Sequence, residues 1–138
     1  MATVSDVNNF LCSIAPVEMK MDFDNVGFLV GRSSAGVTKI IISLDITHDV
    51  ISEALEIGAE LVVSHHPLFF SLKSVTDADI TGAKIVRLLS SGVSAICMHT
   101  NLDAARCGGN CPLQRFRVRG NGETAGNASR NAEYGMQN

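Results

Sequence analysis

Hydrophobic positions along the first hundred residues recur with two alternating periods, and the alternation predicts an order of elements. Val4, Val7, Phe10, Leu11 and Ile14 stand three and four residues apart. That spacing is one face of a helix, which must stop before Pro16 because the residue preceding proline is driven out of the α region. Residues 39–44 (Lys-Ile-Ile-Ile-Ser-Leu) form a short β-branched apolar run, the signature of a strand buried on both faces. Thr47 then occupies an N-cap position. Val50, Ile51, Ala54, Leu55 and Ile57 follow at helical spacing, and Gly58 sits just past the end. Residues 60–64 (Glu-Leu-Val-Val-Ser) predict a second buried strand that ends at His65-His66-Pro67. A polar loop leads to a third helical pattern through Ile80, Ala83, Ile85, Val86, Leu88 and Leu89, closed by Gly92. Residues 93–98 predict a third strand, ending at His99.

The order β-α-β-α-β with helical connections implies an α/β fold, a parallel sheet with right-handed crossovers. Parallel sheets bind ligands beyond the carboxyl ends of their strands. Asp45, His65, His66 and His99 all lie at such ends, so three of the four histidines of the chain are expected along one sheet edge.

Composition divides the chain. Residues 1–105 carry 6 basic and 12 acidic side chains, whereas residues 106–138 carry 5 basic, all arginine, and 2 acidic. The second segment also holds half of the 12 glycines and few large apolar groups. So little apolar area does not offset the entropy of ordering. The expected organisation is a folded α/β part over 1–105 and a weakly ordered tail over 106–138. The net charge of −3 and pI of about 5.7 offer no electrostatic footprint for nucleic acid or an anionic membrane. No run approaches the length of a spanning helix, and Asp6 stands where a signal peptide would be basic, so a cytoplasmic protein is expected.

Imidazole nitrogens beside a carboxylate suit Zn²⁺, Fe²⁺ or Mn²⁺, and a carboxylate can bridge two ions. His99 and Asp103 are four residues apart, on one face if a helix follows the third strand. The tandem His65 and His66 diverge in a regular strand unless the turn at Pro67 brings both to one site. Each histidine alone reads most simply as a capping or solvent-facing group. The tandem pair with His99 and Asp103 on the neighbouring loop shifts the reading to metal. His48, at a helix start, is expected to be structural, and Asp45 either approaches the site or caps the following helix. Cys97, His99, Cys107 and Cys111 offer zinc-type ligands at an unusual spacing, and free thiols are the simpler account. Cys12 and Cys97 fall at core-patterned positions. Gly27, Gly31 and Gly36 lack the Lys-Ser/Thr of a phosphate loop and read as turns.

Three segments carry a resemblance. Residues 23–31 (Phe-Asp-Asn-Val-Gly-Phe-Leu-Val-Gly), 64–69 (Ser-His-His-Pro-Leu-Phe) and 99–105 (His-Thr-Asn-Leu-Asp-Ala-Ala) resemble, in order and spacing, the N-terminal motifs of the Nif-three-like family of GTP cyclohydrolase I type 2 homologues. Phe23 departs from the tryptophan usual there. The resemblance implies a dinuclear metal centre, up to two divalent ions per subunit, in a fold that assembles into a toroidal homohexamer. It also implies His65 and His66 as ligands, Asp103 as bridging carboxylate, and His99 as a catalytic residue lining the same site. The family's remaining ligands, a histidine and a glutamate four apart, belong to the C-terminal part of longer chains, and no histidine follows His99 here. The expectation is a truncated N-terminal half with a replaced or frame-shifted tail. Two functions follow from it. One is a metal-dependent hydrolase acting through metal-bound hydroxide on a nucleotide-like small molecule. The other is a non-catalytic metal-binding or interaction module.

Overall fold

The computed structural model describes residues 1–107. The elements run β1 (Ala2–Thr3), α1 (Val4–Ile14), a 3₁₀ turn (Val17–Met19), β2 (Gly27–Val30), β3 (Gly36–Val37), β4 (Ile40–Ser43), α2 (His48–Ile57), β5 (Leu61–Ser64), α3 (Ile80–Ser90), β6 (Ser94–Cys97) and α4 (Thr100–Cys107). The expected βαβαβ unit is therefore β4-α2-β5-α3-β6, with β4, β5 and β6 parallel. The caps of α2 stand where the sequence places them. The Thr47 side chain accepts from the Val50 N–H, and Gly58 closes α2 in the left-handed region at φ 68°. Asp79 caps α3 by accepting from the Gly82 N–H.

The sheet order is β2-β6-β5-β4. Its two faces are covered by different helices. Ile51 and Ala54 of α2 and Ile85 and Leu88 of α3 pack on Ile41, Val62 and Ala95. On the other face Val4, Val7 and Leu11 of α1, with Leu102 and Ala105 of α4, pack on Phe28, Leu61, Val63 and Ile96.

Two expectations are corrected. The segment around Gly27 and Gly31 is not only turns: Gly27–Val30 forms an edge strand, antiparallel to β6 with a register irregularity between Phe28 and Val30. A four-residue strand paired by one edge leaves little periodic signal in the sequence. Gly31 ends it at φ 117°, where an added Cβ would lie 2.2 Å from Ser94 Oγ. That backbone conformation strains any L side chain, and the close approach of β6 fills the space. Nor is β4 buried on both faces. It forms the opposite edge, Ile41 is buried, and Ile42 is 68% exposed. The α1–α4 layer reaches β2, β6 and β5 but includes no β4 residue.

Cys97 lies in the core as expected, whereas Cys12 is only half-buried on α1. The tail expected from residue 106 falls, beyond Cys107, outside the described residues, and so does Cys111. No helix among the described residues is long and apolar enough to cross a membrane.

Candidate metal centre

The site is built at the carboxyl ends of the three parallel strands. Ser43, Ser64 and Cys97 share one register position. Asp45, His66 and His99 each follow two residues beyond that position. Backbone bonds link the strand ends: His65 N–H donates to Ser43 O at 3.2 Å, His66 N–H to Leu44 O at 2.9 Å, and Met98 N–H to Ser64 O at 2.9 Å. The Ser64 hydroxyl bends the chain back by donating to His66 O at 2.8 Å, ahead of Pro67. Two neighbouring side chains that a regular strand would point apart are thereby brought together. The rings of His65 and His66 are 5.2 Å apart, those of His65 and His99 5.1 Å, and those of His66 and His99 5.6 Å. One ring nitrogen from each histidine lies within 4.8 Å of the other two.

Every one of these imidazoles has its Nδ1 engaged by a group that can only accept. His65 Nδ1 donates to Met98 O at 3.0 Å, His66 Nδ1 to Asp45 Oδ1 at 2.7 Å, and His99 Nδ1 to both Asp24 oxygens at 3.0 Å. With the proton on Nδ1, the Nε2 lone pair of a neutral ring is left for a ligand or a proton. Metal-bound histidines characteristically show this outer arrangement, in which a carboxylate or carbonyl orients the ring. Asp103, in the first turn of α4, stands with Oδ2 3.7 Å from His65 Nε2, and its side chain is 53% exposed. Each histidine thus has one carboxylate near it, and three acidic groups beside three imidazoles favour a cation. The donor set, imidazole nitrogen with carboxylate oxygen, fits zinc, iron or manganese.

Asp24 is the functional residue that sequence reasoning left without a role, although it lies in the first of the three motifs. Its side chain is fully buried. Burial raises its pKa, but hydrogen bonds from the Thr100 hydroxyl, His99, the Thr100 N–H and the Asn25 N–H outweigh that and hold it at about 2. The only signal was an acidic side chain in an otherwise structural-looking loop. Its partner is 75 residues away in sequence. Asp45, for which two uses were open, bonds His66, and Thr47 does the capping.

The other candidates separate from the cluster. His48 is exposed at the start of α2, where its carbonyl accepts from Arg87 Nη1 at 2.8 Å. Burial and the nearby Asp24 charge push the Cys97 thiol up to about 12, against an opposing hydrogen bond with Ser64. That thiol donates to His65 O at 3.2 Å. Among the described residues, the side chains close enough to share an ion are His65, His66 and His99, without Cys97. Phe23 and Phe70 are exposed beside the cluster, with ring centroids 6.1 Å apart and Phe70 6.4 Å from His99. Next to Phe70, a cavity of about 560 Å³ runs along the loop that follows the tandem histidines, lined by Pro67, Lys73 and Thr81 among others.

Comparison with known proteins gives concordant results. The model of the Duf34/NIF3 (NGG1p interacting factor 3) family matches residues 2–118. The GTP cyclohydrolase 1 type 2 homolog of Clostridium perfringens is 43% identical over 111 residues, covering 80% of this chain and 42% of that one. Among solved structures, Staphylococcus aureus protein SA1388 superposes with a TM-score of 0.70 at 35% identity, over 74% of this chain and 33% of that one. A Bacillus cereus protein related to NIF3 superposes with a TM-score of 0.69 at 28% identity, over 74% and 28%. The chain thus spans less than half the length of these relatives.

Proposed function

The chain belongs to the Duf34/NIF3 family, and from that premise we propose that it is a metal-binding protein in which His65, His66 and Asp103 hold a divalent ion. The ion is zinc, iron or manganese, and His99 is the catalytic group beside it. One observation carries this reading: three imidazoles with Nδ1 committed to acceptors converge within 4.8 Å, with a carboxylate 3.7 Å from one of them.

When bound, such an ion polarises an electrophilic substrate and makes water a competent nucleophile near neutral pH. The protein's own groups do the rest. Met98 O and Asp45 hold His65 and His66 in the tautomer that can ligate. His99, its Nδ1–H on Asp24, keeps Nε2 free to accept a proton from a group held between it and the tandem histidines. Phe70 and the adjoining cavity give a small molecule a place to lie against the cluster. The relatives' name, GTP cyclohydrolase 1 type 2 homolog, points to hydrolysis of a nucleotide-like substrate.

A second reading is a non-catalytic metal-binding or interaction module, in which the histidine cluster holds an ion without turnover. A homo-oligomer and a cytoplasmic setting belong to both readings.

The test is metal analysis of the purified full chain, with a hydrolysis screen on nucleotides. About one equivalent of zinc, iron or manganese, lost in His65→Ala and in His66→Ala, supports metal binding. Turnover that disappears in His99→Ala, with metal retained, supports the hydrolase. Metal without turnover leaves the binding module, and no metal in the native protein rejects both.

A further inference from the structure

The three histidines are not held alike. His65 leans on a neutral carbonyl, and His66 on an Asp45 whose side chain is more than half exposed. His99 leans on Asp24, whose carboxylate has no solvent-accessible surface and sits 3.0 Å from Nδ1 through both oxygens. Asp24 does more than meet His99. Its Oδ2 accepts from the Thr100 N–H at 3.1 Å and from the Thr100 hydroxyl, at the first turn of α4. Its Oδ1 accepts from the Asn25 N–H at 2.8 Å. The Asn25 side chain in turn donates to Phe69 O at 2.9 Å, on the loop that continues from the tandem histidines. Adjacent residues of one loop thus grip the two other loops that carry the site.

From this we infer that Asp24 is a positioning residue that keeps the proton of His99 on Nδ1 and so leaves Nε2 unprotonated toward the cluster. The functional consequence rests on the metal-site reading above, but the tautomer itself does not. The simpler alternative is that Asp24 only caps α4 through Thr100. Asparagine separates the two. In Asp24→Asn the amide oxygen can still cap the Thr100 N–H and stays within reach of Nδ1, while the amide nitrogen replaces the other acceptor at 3.0 Å with a donor. One of the two acceptors that hold the proton on Nδ1 is thereby turned against it, so part of the ring population moves its proton to Nε2, the atom the site needs free.

The experiment is two-bond ¹H–¹⁵N correlation spectroscopy of the imidazoles in the metal-free full chain at a pH where they are neutral. Wild type is expected to show His99 protonated on Nδ1. Asp24→Asn is expected to show a larger Nε2-protonated fraction of His99, with His65 and His66 unchanged. Thr100→Val, which deletes the hydroxyl donor to Asp24 but keeps the carboxylate, is expected to retain the wild-type His99 tautomer. His99 protonated on Nε2 in the wild type overturns the inference, whether or not any variant folds. A His99 whose Nδ1/Nε2 distribution is the wild-type one in a folded Asp24→Asn, shown by a native amide spectrum, overturns it too. Zn²⁺ titration of the same wild-type sample keeps the two proposals apart. If His65 and His66 do not respond, the metal reading fails while the tautomer result stands.

Discussion

Asn101→Ala tests how firmly the histidine cluster is tied to the core. Asn101 is fully buried in the first turn of α4. Its Oδ1 accepts from the His99 N–H at 3.0 Å, and its Nδ2 donates to Ala15 O at 2.9 Å, just past the end of α1. One amide thus joins the α1 terminus to the backbone of the third histidine. Alanine removes both bonds and strands a buried acceptor, Ala15 O, and a part-buried donor, the His99 N–H. Each stranded group costs about 1–3 kcal/mol. Water entry and local relaxation recover part of that, so a loss of about 3 kcal/mol is expected. At about 4–8 °C per kcal/mol for a domain near this size, Tm should fall by about 12–24 °C. Thermal melts by circular dichroism, paired with urea titrations read for an unchanged slope, measure it. Asn101→Asp should do no better, because it keeps the acceptor for His99 but sets a buried carboxylate against the Ala15 carbonyl. A loss below about 1 kcal/mol in Asn101→Ala would refute the reasoning that these two bonds are shielded by the buried Asn101 side chain and go unreplaced.

Three further outcomes follow from the same structure. The Glu60 carboxylate accepts from the Lys39 N–H, the Thr38 N–H and the Thr38 hydroxyl, which lower its pKa from 4.5 to about 2. A depressed folded-state pKa stabilises above the unfolded value, so this contribution is complete above pH 4.5 and is lost as pH falls towards about 2. Urea midpoints at pH 7, 4 and 3 should fall less steeply in Glu60→Gln than in wild type, and parallel curves would reject it. Gly31→Ala should lower stability by about 2 kcal/mol or more, from the left-handed backbone and the approach of Ser94, and a Tm within a degree of wild type would reject that. Asp45→Ala frees His66 Nδ1 from its 2.7 Å bond and should weaken Zn²⁺ binding by about tenfold in a competition titration, with Tm of the metal-free protein hardly changed. Equal affinities would show that Asp45 does not orient His66.

The helices and parallel strands were legible because each carries its own local signal. The 3.6-residue apolar stripe of α1, the Thr47 cap with Gly58 past the end of α2, and the short runs of β4, β5 and β6 depend on near neighbours alone. The same patterns placed Asp45, His65, His66 and His99 at strand ends. The edge strand β2 was not legible, because it is short, starts and stops at glycines and owes its existence to β6. The exposure of Ile42 was not legible either. A run of isoleucines reads as buried on both sides, and only the reach of α1 and α4 leaves one face of β4 open.

By itself, then, the sequence determined that an α/β sheet of three parallel strands would present its histidines on one edge, and its motifs pointed to the family. Periodicity and capping act over a few residues, so they are written in the chain. Which nitrogen each imidazole presents was decided only by the tertiary structure. That choice depends on Met98 O from the adjacent strand end, on Asp45 one strand away, and on Asp24 from a loop 75 residues earlier. A proton's place on an imidazole ring is set by the acceptor it meets, and the acceptors meet the rings only once the sheet has closed.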